Sequence, residues 1–294
     1  LAEALRANPV VVRQSRLLIK PKLGKVRRYT IAHLSDNHWG GYIDPREVEL
    51  NNYSWQIAAR RTGKFAHEVA HYKLDHRDEC GGLVLNIGGD QLEGILGHDQ
   101  DWSNVDMLTW QLVGATRYLV AFIDYQLNFY KRVIVPITAD NHGRVQTPVK
   151  GRKRATQQRY DSFITVMMHG VAQAFRHERR VQFIQPLTPY TLYRLFSWNY
   201  LLVHGDAVLD FGNPHRAIQL QHIANQINQF NATREAGERV HVVFGGHVHY
   251  GLNAWLPNGV HLFINPVAIL FEASPVFRLC PFSALYFQQL ASLQ

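Results

Sequence analysis

Short apolar runs, each stopping at a polar turn, alternate along this chain with longer segments whose apolar residues recur at helical spacing. Tyr29–Ser35, Leu83–Ile87 and Arg132–Thr138 read as buried strands. Between and after them, Pro45 to about Leu74, Asn104 to about Tyr130, and Ala155 to about Phe175 read as helices. Pro45 suits a first helical position, and Asp106 suits the start of the second helix. Beyond Phe175 the rhythm shortens. Val181–Gln185, Tyr190–Phe196 and Asn199–Val203 are close-set strands that predict a β-meander. Pro214–Phe230 then reads as a helix and Arg239–Phe244 as a strand. Leu252–Leu256 and Gly259–Phe263 predict a hairpin turning at Asn258-Gly259.

The first half therefore alternates strand and helix, as a parallel α/β layer does, and the second half adds antiparallel strands. Two mixed β-sheets flanked by helices follow, an α/β fold. No Pro/Gly/Ser linker divides the halves, so residues 29–294 are expected to form one domain behind an N-terminal extension, residues 1–28. With 46% hydrophobic and 18% charged residues in 294, the chain can bury a full core and is not of the disordered class. No apolar run is long enough for a membrane span, and the basic N-terminus lacks the apolar stretch of a secretory signal. The two cysteines, Cys80 and Cys280, have neither metal-type spacing nor a disulfide framework, which favours a reducing, intracellular (cytoplasmic) setting.

Chemistry enters with the polar groups at the strand ends. The apolar runs are followed in turn by Ser35-Asp36-Asn37-His38, Gly89-Asp90-Gln91-Leu92-Glu93, Asp140-Asn141-His142-Gly143-Arg144, His204-Gly205-Asp206 and Gly245-Gly246-His247-Val248-His249. Functional side chains of α/β sheets gather beyond the carboxyl ends of strands. Five such groups in one crevice would form a dense nitrogen and oxygen ligand set, suited to Mn, Fe, Zn or Ni rather than to a thiolate zinc site. The Asp36/His38 and His247/His249 doublets would each share one face of an extended segment. Gly245 and Gly246 would let the backbone turn into the site. A carboxylate shared by two cations holds them about 3.5–4 Å apart, where they can grip a phosphoryl group. Asp90, on its Gly-Gly turn, is the candidate bridge.

The order Asp-x-His, Gly-Asp-x-x-Glu, Asn-His, His, Gly-His-x-His resembles the calcineurin-like metallophosphoesterase superfamily over residues 29–265. The resemblance implies a four-layer α/β/β/α sandwich and two divalent metal ions, manganese first, with Fe, Zn, Ni or Mg as alternatives. It implies that Asp36, His38, Asp90 and His249 hold one metal, and that Asp90, Asn141, His204 and His247 hold the other. His142 would stand beside the scissile phosphate as general acid or transition-state stabiliser. The chain departs from the usual Gly-Asn-His-Asp/Glu motif: Asp140 stands in place of the glycine, and Gly143 in place of the acid. Glu93 could orient His142 instead, and Arg144 could bind phosphate. The Asn-His-Gly-Arg variant is similar to phage-encoded members of the superfamily.

Charge suggests a substrate. The chain carries a net +8, unevenly placed. Between Ala4 and Ser35 there are eight basic residues and no acid, and Asn141–Tyr160 holds Arg144, Lys150, Arg152, Lys153, Arg154 and Arg159, again with no acid. Clustered cations after the third motif suit a polyanion, so the expected activity is a phosphodiesterase or nuclease acting on nucleic acid, DNA first. A phosphomonoesterase for phosphoprotein or nucleotides, and a nucleic-acid-binding or assembly protein that retains a metal site, are the alternatives. His67-Glu68-Val69-Ala70-His71 matches the zinc-protease signature. A helix between the first two motif strands should, however, pack on the sheet away from the crevice.

Overall fold

The computed structural model describes residues 26–44, 46, 53–75, 81–94, 107–144, 162–186, 188–212, 217–265 and 269–273. In chain order these form β1 (Tyr29–Leu34), α1 (Trp55–Asp75), β2 (Gly82–Ile87), α2 (Leu108–Gln126), β3 (Arg132–Pro136), α3 (Phe163–Ala174), β4 (Val181–Ile184), β5 (Tyr190–Leu195), β6 (Trp198–Val203), α4 (Leu220–Ala232), β7 (Val242–Gly245), β8 (Leu252–Trp255), β9 (His261–Ile264) and β10 (Ile269–Ala273). One sheet runs β10-β1-β2-β3-β4, parallel except where β10 pairs antiparallel with β1. The other runs β5-β6-β7-β9-β8, with β6, β7 and β9 parallel and β5 and β8 antiparallel on its edges.

Strand alternation sorts the side chains into layers. Tyr29, Ile31, Val84 and Ile134 face one way and meet Tyr200, Leu202, Phe244 and Phe263 of the second sheet, forming the core between the sheets. On the opposite face of the first sheet, Leu34, Leu85, Ile87 and Val135 meet Val69 of α1, Leu119 of α2 and Val171 of α3. The outer face of the second sheet offers Leu201, Val243 and Leu262 to Ile223 and Ile227 of α4. The result is the α/β/β/α sandwich expected from the pattern. Among the described residues, no helix is long and apolar enough to cross a membrane.

Several elements differ from their expected form. The helix expected from Pro45 starts at Trp55, because Tyr53 pairs with Ile43 in an antiparallel bridge and the Ser54 hydroxyl accepts the Ile57 N–H. Pro45, Asn104 and Asp106 lie outside the described residues. The second helix stops at Gln126 and runs through turns to Tyr130. The third starts at Phe163, where the Ser162 side chain accepts the Ile164 N–H; Ala155 lies outside the described residues. The fourth starts at Leu220 rather than Pro214, which is itself outside the described residues. No three-strand meander forms: β4 joins β3 in parallel in the first sheet, while β5 and β6 make a hairpin in the second. The hairpin at Asn258-Gly259 is present, with Gly259 at φ 78°. Sequence patterning missed β10, which closes the outer edge of β1.

Candidate metal centre

Because β1, β2 and β3 are parallel, their carboxyl ends lie together, and β6 and β7 do the same in the second sheet. The turns beyond these five strands meet. Past β1 and β2 the two chains keep pairing: Asp36 N–H donates to Gly89 O, His38 N–H to Asp90 O and Trp39 N–H to Gln91 O, at 3.1, 2.9 and 2.8 Å. This brings the first two motifs side by side. Hydrogen bonds then cross between turns. His247 N–H donates to Asp36 Oδ1 at 2.8 Å, tying the second sheet to the first, and His142 N–H donates to Asp90 Oδ1 at 3.1 Å.

The ligand doublets do not lie on extended backbone, as sequence spacing suggested. Asp36, His38, Asp90, His247 and His249 all have φ between 43° and 72°, the left-handed region that non-glycine residues rarely occupy. Each costs about 1 kcal/mol or more, and they are concentrated at this one crevice. Gly245 and Gly246 are not the pivots. They are needed for room, since a Cβ on Gly246 would lie 2.1 Å from Asp36 Oδ2 and one on Gly245 would lie 2.2 Å from the Phe211 ring.

The side chains converge in two sets that share one carboxylate. Asp36, His38, Asp90 and His249 bring potential ligand atoms within 4.8 Å of one another, and so do Asp90, His204 and His247. Asn141 joins the second set through its Oδ1, 2.8 Å from His204 Nε2, which itself lies 3.0 Å from Asp90 Oδ2. Within the first set, His38 Nε2 is 3.1 Å from His249 Nε2 and 4.0 Å from Asp90 Oδ2. All seven residues named from the strand-end motifs thus lie in one cluster.

Surrounding groups fix which ring nitrogen faces the cluster. His204 Nδ1 lies 3.1 Å from Gly88 O and must donate there, leaving Nε2 as the inward lone pair. His38 Nδ1 lies 2.8 Å from Glu93 Oε2, a carboxylate–imidazole pair that leaves Nε2 inward in the same way. Glu93 also reaches His142: its backbone carbonyl lies 2.8 Å from His142 Nδ1, and His142 Nε2 then faces Asp90 Oδ2 at 3.9 Å. Arg144 pairs through its backbone with Ser162, and its buried Nε has no hydrogen-bond partner among the described residues. Lys150, Arg152, Lys153, Arg154 and Arg159 lie outside the described residues.

The electrostatics suit a site built for positive charge. Among the described residues, the ion-pair partners of Asp36 and Asp90 are histidines. Burial pushes the Asp36 carboxyl up. Burial also acts on Asp90, but His204 and His142 outweigh it and hold the carboxyl well below its usual range. In turn, and against burial, Glu93 and Asp90 hold His38 at about 9, and Asp90 keeps His204 well above the ordinary imidazole value.

Sequence reasoning left out several residues that shape the cluster. The Ser35 hydroxyl, with one proton to donate, lies between Asp36 Oδ2 and Asn265 Oδ1, the latter at 2.8 Å; Asn265 in turn donates to His33 O at 3.2 Å. Asn265 directly follows β9, so a polar residue at that strand end was a readable signal. Asp140, noticed only as a departure from a motif, is fully buried. It accepts Asp90 N–H at 2.9 Å and Gly143 N–H at 2.9 Å. Burial, then the Asp90 charge, raises its pKa to about 6. The protease-like pair His67 and His71 sits on the exposed side of α1, Nε2 to Nε2 at 3.0 Å, while Ala66, Val69 and Ala70 of the same helix are buried.

No family model and no curated protein matches the chain. Among solved structures it is similar to a protein named as a 5′-nucleotidase from Staphylococcus aureus, at 9% identity and TM-score 0.35, covering 90% of this chain and 58% of that one. The chain thus spans little more than half of that relative's length. A phosphopantetheinyl hydrolase from Mycobacterium tuberculosis is similar at 12% identity and TM-score 0.30, over 82% of this chain and 91% of that one. A dimetal phosphatase from Danio rerio is similar at 8% identity and TM-score 0.38, over 85% and 97%.

Proposed function

We propose that this chain is a two-metal phosphoester hydrolase. The observation that carries the reading is the buried Asp90 carboxylate shared by the Asp36/His38/His249 set and the His204/His247 set, with Asn141 completing the second. The donor chemistry fits two divalent cations: imidazole nitrogens, those of His38 and His204 with their other nitrogen fixed, and carboxylate and amide oxygens without thiolate. Such a pair, when bound, polarises a phosphoryl group and lowers the pKa of water.

The chain's own groups would do the rest. Asp36 and Asp90 concentrate negative charge where cations are needed. Glu93 keeps the His38 lone pair inward. His142, anchored through Nδ1, presents Nε2 beside Asp90 and, when protonated there, can hand a proton to the departing ester oxygen.

The finer reading is a phosphodiesterase acting on nucleic acid, DNA first, with manganese as the first metal to try and an intracellular setting. The support is the cationic run from Arg144 to Arg159, which follows the Asn141-His142 turn in sequence and would run a polyanion past the cluster. Protein stripped with chelator and reloaded with Mn²⁺ should cleave single- or double-stranded DNA and a nitrophenyl phosphodiester. Rapid monoester turnover with an inert diester would establish the phosphomonoesterase alternative instead. No turnover of any ester with bound metal would leave the assembly reading. Neutralising Lys150, Arg152, Lys153 and Arg154 together should spare the small diester and make the salt dependence of DNA binding shallower, by up to about 0.9 per lost contact on duplex.

A further inference from the structure

We infer that Asp140 is a positioning residue for the centre: its buried carboxylate clamps the Asp90 turn to the Asn141–His142 turn and so sets the separation of the two ligand sets. The inference rests on the metal reading above. Among the described residues, the three groups hydrogen-bonded to the carboxylate are all donors. Asp90 N–H reaches Oδ2 at 2.9 Å, while Gly143 N–H at 2.9 Å and the Ser162 hydroxyl at 3.3 Å reach Oδ1. An acceptor of two backbone amides on separate turns is what an ionised carboxylate provides and an amide side chain cannot, because its nitrogen would face a donor.

The clamp closes on itself. Asp140 holds the backbone of Asp90, and Asp90 Oδ1 accepts His142 N–H at 3.1 Å, two residues beyond Asp140. Asp90 keeps a left-handed backbone, φ 43°, and the bond from its own N–H is one of the forces that hold it there. The sequence departure at 143 then has a steric cause. A Cβ on Gly143 would lie 2.6 Å from Asp140 Oδ1 and 2.6 Å from the Ser162 hydroxyl, so an acid at 143 and the buried carboxylate at 140 exclude each other. The replaced glycine and the missing acid of the third motif are one change: the carboxylate sits before the Asn-His pair instead of after it.

Manganese binding to chelator-stripped wild type, Asp140→Asn and Ser162→Ala separates this from a merely structural role. Calorimetric titration gives stoichiometry and affinity, and thermal melts of the stripped proteins give stability. Asp140→Asn should weaken manganese binding about 10–100-fold, the usual cost of removing a partner that holds a metal ligand. Ser162→Ala removes the cap of α3 together with only one of the three donors to Asp140, so it should lower the melting temperature while weakening manganese binding less than Asp140→Asn does. If Asp140→Asn fails to fold, Gly143→Ala pushes on the same carboxylate from the other end and should weaken binding in the same sense. Folded variants that bind both ions with wild-type affinity overturn the clamp and leave the two-metal reading intact. Wild type that takes up no divalent ion overturns both.

Discussion

The turns of the two sheets contribute to the centre unequally. Those of the first sheet are braced. Asp36 and Asp90 are almost fully buried and take backbone N–H groups from His247 and His142, and His38 is held by Glu93 from behind. From the second sheet, His204 is equally fixed by Gly88 O, but His249 is not. Its side chain is 51% exposed, and among the described residues its polar neighbours are His38 Nε2 and Asp36 Oδ1 at 3.6 Å, themselves ligand atoms. Partial burial of its ring, then the neighbouring His38, lowers its pKa to about 4. The difference teaches that the first sheet pre-organises the proposed centre, whereas His249 of the other sheet would be held mainly by a bound ion.

Asp90→Asn should break both halves at once. It removes charge from the shared ligand, so activity should fall at least ~10²-fold, with metal content lowered at both positions. Full metal and retained turnover would remove Asp90 from the bridging role. His142→Asn should keep both ions and slow cleavage about 10²-fold for a DNA diester, less for an activated aryl ester that hardly needs a proton. Equal losses on both substrates would rule out the acid role and leave electrostatic stabilisation, whereas loss of an ion would mean that His142, not Asn141, is the ligand.

The contrast between braced and unbraced ligands is sharpened by a smaller pair of changes. Glu93→Gln leaves every proposed ligand in place, but should weaken one ion about tenfold by loosening His38. His249→Ala removes a ligand outright, yet should release only that same ion and leave the Asp90/His204/His247 position filled. Metal analysis after dialysis distinguishes the two positions. Loss of both ions from His249→Ala would mean that the second sheet organises the centre as much as the first does.

Legibility followed the range of the interactions. The strand-end groups could be read because a buried parallel strand and the turn after it are local in sequence, and the layering followed from strand alternation. The backbone at those turns could not. Nothing in Asp36-Asn37-His38 announces a left-handed conformation, because the bonds that hold it come from Gly89 and Asp90 more than fifty residues away. Asp140 appeared as a blemish in a motif until its partners at Asp90 and Ser162 were adjacent in space. The meander failed for a related reason: β4, β5 and β6 are neighbours in sequence and similar in pattern, but which sheet a short apolar strand joins is decided by the free edge of β3.

The smallest effect at working pH tests the seam between the two regions. His33, on the inner face of β1, is fully buried; its Nε2 lies 3.0 Å from Gly245 O on β7 and its ring lies 5.4 Å from Phe244. Nε2 must donate to that carbonyl, and the buried Nδ1 has no partner among the described residues, so the ring is neutral. Burial lowers its pKa to about 4, outweighing the Gly245 bond. An unfolded chain takes up this proton near pH 6.5, which the native chain refuses until about 4. Stability from this group is therefore complete above pH 6.5 and is lost as pH falls toward 4, by up to about 3 kcal/mol. His33→Gln keeps a donor for Gly245 O and does not titrate. At pH 8 it should leave activity unchanged and stability within about 1 kcal/mol of wild type. The urea midpoint of the metal-free wild type should fall relative to that of metal-free His33→Gln as pH drops from 7.5 to 5. His38 and His204 titrate in both proteins and cancel in the difference. Parallel pH profiles would show that His33 accepts its proton inside the folded chain and that the seam between the sheets admits charge.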